Sequence, residues 1–67
     1  MSGAKAAKAF SRAGWISARQ TGSHFIMIKE GSAVTLSVPM HSELDRGTLR
    51  RLISIAGLTV DEFADLL

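Results

Sequence analysis

Apolar residues follow a helical spacing at both ends of this chain and an alternating spacing between them. That change of period restricts the fold to helices flanking a small sheet. Near the start, Ala6, Phe10 and Ala13 fall at i, i+4 and i+7, one stripe along a helix. Near the end, Leu49, Leu52, Ile53 and Ala56 fall at i, i+3, i+4 and i+7, the strongest helical signal in the sequence. In the middle, Val34, Leu36 and Val38 alternate with Thr35 and Ser37, as in a strand with one buried face.

Punctuation sets the boundaries. Ser2 caps a helix over residues 3–13, and Gly14 suits a left-handed C-cap with Trp15 packing back on the last turn. Residues 15–20 read as a first strand, Thr21-Gly22-Ser23 as a turn, and residues 24–29 as a second strand rich in β-formers. Glu30-Gly31-Ser32 turns again, residues 33–38 form a third strand, and Pro39 stops it. A loop over 40–46 leads to the helix that Gly57 ends. Thr59 and Glu62 have capping-box spacing, with Leu58 and Phe63 placed as a hydrophobic staple, so a short last helix covers 60–66.

The order α-β-β-β-α-α specifies an α+β fold: a three-stranded antiparallel sheet with helices on one face. Without the short last helix, α-β-β-β-α is the order of the double-stranded RNA-binding domain, which reads A-form shape and phosphates. A chain of 67 residues makes one domain, residues 1–67. With no cysteine and two histidines, it offers neither disulfides nor a convincing zinc site, so no metal or other cofactor is expected. No apolar run reaches the roughly 20 residues of a membrane span. The alanine-rich start carries two lysines and lacks the pattern of a signal peptide. A soluble, cytoplasmic protein with no membrane partner is the expectation.

Charge is unevenly placed. The net charge is only +2, yet Lys5, Lys8, Arg12, Arg19 and Lys29 all precede the first acidic residue, Glu30. Such a basic half suits a phosphate-bearing partner, and equally a solvated helix face.

Chain geometry brings candidate residues together. A helix of about 11 residues runs roughly 17 Å, and a six-residue strand returns roughly 20 Å. The Gly22-Ser23 turn, His24, the loop with His41, and Lys5 with the amides at the first helix start should therefore share one rim. A helix N-terminus offers amides to a phosphate, Gly22 allows close backbone approach, and Ser23 adds a hydroxyl. An imidazole can take a proton from a ribose 2′-hydroxyl or return one to a leaving oxygen. By parity His24 shares a face with Ile26 and Ile28, so it also reads as a packed, hydrogen-bonded histidine at the edge of the core. Phe25 and Met27 then point to the opposite, open face, either as minor core or as a patch for a protein partner.

Ala13-Gly14-Trp15 followed by Arg19-Gln20-Thr21-Gly22-Ser23-His24-Phe25 resembles the "AGW…RQ-x-GSH" signature of HicA-type toxins. Val38-Pro39-Met40-His41, Gly47-Thr48-Leu49-Arg50 and Ala56-Gly57-Leu58-Thr59 are similar to that family's "VP-x-H…GTLR-x-I…AGL" segment. The similarity covers nearly the whole chain, except that Phe25 stands where a second histidine often follows. It implies the toxin of a type II toxin-antitoxin system: a ribosome-independent, metal-independent mRNA endoribonuclease with a double-stranded RNA-binding-like fold. It also implies that a HicB-type antitoxin covers the active site. The catalytic histidine it implies is His24. Gly22, Ser23, Lys5, Lys8 and Arg19 are the expected RNA and phosphate ligands, and His41 is the candidate second acid or base. Phe25 and Met27 are the candidate antitoxin contacts. The alternatives are a non-catalytic RNA-binding module and a domain that serves only as a protein partner. No direct DNA binding is expected, because no helix pair reads as helix-turn-helix.

Overall fold

Ser2 does cap the first helix: its hydroxyl accepts the Lys5 amide at 3.1 Å, and Gly3–Arg12 form α1. The structure, a computed structural model, describes residues 1–67. At the other end of α1, Gly14 adopts φ 100°. The Trp15 and Gly14 amides return to the carbonyls of Phe10 and Ser11, each at 3.1 Å. This is a Schellman ending, and it turns the buried indole of Trp15 back onto the helix.

Three strands follow: β1 (Ile16–Thr21), β2 (His24–Ile28) and β3 (Leu36–Pro39). They form one antiparallel sheet in the order β1-β2-β3. β3 begins later than the alternation suggests, at Leu36, and it retains Pro39 opposite His24. Proline is tolerated there because β3 is an edge strand and Pro39 is its last residue. Two further helices complete the chain. Asp45 caps α2 (Arg46–Ile55), and Thr59 caps α3 (Val60–Ala64) with the complete capping box.

The helices cover one sheet face. Ala6, Ala9 and Phe10 of α1 are at most 1% exposed, and the two alanines let the helix lie close to the strands. Leu52 and Ile53 of α2 and Phe63 of α3 join them, with Met27, Leu36 and Val38 from the sheet. The Phe10 and Phe63 rings meet at 5.0 Å between centroids, tilted by 47°, within the favourable range for an aromatic pair. Arg12 ties the last residues down by donating from Nη1 to the Leu66 carbonyl at 2.6 Å.

The faces of β2 are the reverse of the sequence reading. Phe25 pairs with Val38 and Met27 with Leu36, and Val38, Leu36 and Met27 are all core. Phe25 is half-buried and packs against that core. His24, Ile26 and Ile28 therefore take the open face. Parity alone could not choose between the faces, because Phe25-Ile26-Met27-Ile28 is apolar on both.

Candidate functional site

The turn between β1 and β2 consists of Gly22 and Ser23 alone, since Thr21 and His24 are paired across it. Gly22 has φ 51° and Ser23 does not have positive φ, as expected of a II′ hairpin turn. The turn matches the twist of the strands and holds its register, and with it the direction of His24.

Hydrogen bonds join this turn to the segment after β3, and that segment to the start of α1. The Ser23 carbonyl accepts the Met40 amide at 2.7 Å, and the His41 carbonyl accepts the Gly3 amide at 2.9 Å. The start of α1, the Gly22-Ser23 turn, His24 and the His41 segment thus share one rim, as the chain lengths suggest. Ser23 Oγ lies 3.3 Å from His24 Nδ1, close enough to bias which imidazole nitrogen faces outward. His24 is half-buried, and His41 is exposed.

The surroundings of His24 on the open face follow from register. Thr21 stands opposite it, Pro39 flanks it on β3, and Ile26 lies beyond it on β2. Arg19 pairs with Ile26, so its guanidinium projects from the same face as His24. A bulge between Ser17 and Arg19 makes this possible. In a regular strand Arg19, three residues after Ile16, would face the helices whenever Ile16 faced away, and the bulge at Ala18 restores it to the open face. Ile16 and Ile28 are also paired on this face and are 62% and 47% exposed.

Two expectations need correction. The start of α1 offers a phosphate fewer amides than expected, because Gly3 donates to the His41 carbonyl and Lys5 to Ser2 Oγ. Met27, expected as an antitoxin contact, is 2% exposed in the core, and Phe25 packs against that core. Exposed aliphatic surface comes instead from Ile16 and Ile28. The basic residues also divide. Lys5 stands in the first turn at the rim, Lys8 lies a turn further along α1, and Arg12 is engaged at Leu66. Only Arg19 shares the open face with His24.

His41 has a different neighbour. The carboxyl of Asp45 is held below the usual aspartate range by the Thr48 amide, which donates to it at 2.6 Å, then by the Thr48 hydroxyl and the charge of His41. His41 therefore lies near the capped start of α2. Contacts that sequence reasoning missed are Thr21, opposite His24, and the Gly3–Pro39–Met40 stitching that builds the rim. No helix is long and apolar enough to cross a membrane.

Comparison with known proteins gives one family. The family model described as "HicA toxin of bacterial toxin-antitoxin" matches residues 3–58, from the first residue of α1 to just past the end of α2. No curated protein matches the chain.

Proposed function

This chain belongs to the HicA toxin family, and on that premise we propose that it is a cytoplasmic, metal-independent mRNA endoribonuclease with His24 as its catalytic residue. A HicB-type antitoxin restrains it. The observation that carries the reading is the position of His24: half-buried, on the sheet face free of helices, beside a tight turn and on the same face as Arg19. A packed structural histidine would more naturally lie among the core residues on the other face.

In this mechanism the nucleophile belongs to the substrate. With Ser23 on Nδ1, His24 Nε2 takes the proton of a ribose 2′-hydroxyl. The freed oxygen attacks the adjacent phosphorus, and the bond to the 5′-oxygen of the next nucleotide breaks. The products are a 2′,3′-cyclic phosphate and a 5′-hydroxyl, the leaving oxygen being protonated by His41 or by water. Gly22 leaves the backbone open to the phosphate, Ser23 and Arg19 bind its oxygens, and Lys5 and Lys8 hold the flanking strand.

The test is to incubate purified protein with single-stranded mRNA in chelator and identify the new ends. Cyclic-phosphate ends, and protection by a 2′-deoxy nucleotide at the cut, are expected. Cleavage of the 2′-deoxy substrate, or 5′-phosphate ends, would contradict the scheme. Salt-sensitive binding without cleavage would instead mark a binding module.

A further inference from the structure

Between α2 and α3, with Met1 beside them, lies a groove of about 280 Å³. From α2 it is lined by Arg46, Leu49, Arg50 and Ile53, the i, i+3, i+4, i+7 stripe of one helix face. From the α3 side, Val60 and Leu67 face it and are 54% and 52% exposed. Val60 and Leu67 lie beyond residue 58, where the family match ends.

The two arginines here lack partners. No carboxylate lines the groove, and the chain's one ion pair engages the ammonium of Met1, which also lines it, with Glu43 and leaves Arg46 and Arg50 without one. Arg46 and Arg50 therefore sit one helical turn apart, like charges at i and i+4 that cost α2 some stability. An apolar trough with an uncompensated cationic margin complements an amphipathic helix bearing carboxylates.

We infer that this groove seats an acidic amphipathic helix of the antitoxin, with its apolar side between Ile53 and Val60 and a carboxylate on Arg46 and Arg50. The inference rests on the toxin–antitoxin reading of the family. The stripe from Arg46 to Ile53 spans about 10 Å, which sets the docked helix at two turns or more. Helices and His24 lie on opposite faces of the sheet, so an occupant here leaves the imidazole uncovered. The groove holds the partner, and a different part of that partner blocks the site. Joining two contacts in one chain raises the effective concentration of the second.

The experiment titrates the purified chain with its cognate antitoxin, comparing wild type, Val60→Asp and the double variant Arg46→Glu/Arg50→Glu. All three positions are exposed, so the fold should survive, and circular dichroism checks it. Each variant should weaken binding at least about tenfold, as expected for anchors of a helix-in-groove contact. The double variant should also flatten the salt dependence. Amide exchange in the complex should slow over 46–55 and 60–64, and RNA cleavage by each free variant should match wild type. Wild-type affinity in both variants, with protection confined to the strands, would overturn the inference. So would a free chain that dimerises and becomes monomeric on Val60→Asp, since a second copy would then be the occupant. Binding is read without RNA, so an inactive chain that still binds through the groove would sink the nuclease reading and leave this one standing.

Discussion

Gly3 and Pro39 approach so closely that a Cβ on Gly3 would stand 1.8 Å from the Pro39 carbonyl oxygen. The first turn of α1 can rest on the end of β3 only because position 3 has no side chain. In an open helix, alanine is preferred to glycine by about 1 kcal/mol. Here the overlap is with backbone, which cannot swing aside, and overpacking of this kind costs about 1–3 kcal/mol. Gly3→Ala should therefore lower the melting temperature and slow RNA cleavage by displacing the rim. Thermal unfolding with a cleavage assay checks both, and an unchanged or raised melting temperature would show that the contact yields.

The two faces of β2 can be separated by one charge. Met27 lies in the core beside Leu36, whereas Ile28 is 47% exposed on the open face. Met27→Asp should leave the chain unfolded, because a buried carboxylate without a partner is not tolerated in so small a core. Ile28→Asp should fold. Far-ultraviolet circular dichroism of the two variants reads the outcome.

Phe10 is fully buried and packs against Phe63. Phe10→Ala removes a large core side chain at a cost of about 3–5 kcal/mol. That is comparable with the whole stability of a small domain. Loss of a cooperative denaturation transition is the expected result.

Asp45 couples α2 to pH. Its carboxylate is held below the ordinary aspartate range chiefly by the Thr48 amide. A lowered pKa means that this cap contributes fully above the unfolded aspartate value, near 4, and is lost as pH falls through the lower folded value. Asparagine caps helices without titrating in this range. The stability of wild type relative to Asp45→Asn should therefore drop as pH falls below about 4. Melting temperatures across that range measure it.

Much of this architecture is legible in the residues. Gly14 and Gly57 both end helices with positive φ, and Thr59 and Glu62 form the capping box that their spacing suggests. The rim could be anticipated because strand and helix lengths leave little freedom in where the ends meet. What was hidden depends on pairing. The bulge at Ala18 decides the face of Arg19, and no residue there signals it. The open face of β2 is not legible in the residues because both of its faces are apolar. The loss of the Gly3 and Lys5 amides is not visible in the residues, because the His41 carbonyl and Ser2 Oγ reach them only once the chain has folded.

The central claim is that the His24 imidazole performs the proton transfer that cuts RNA. Its most direct test is the rate of mRNA cleavage by His24→Ala in chelator, alongside circular dichroism of the same sample. A fall of at least about a hundredfold with an unchanged fold is the predicted result. A correctly folded variant that cleaves at the wild-type rate would contradict it.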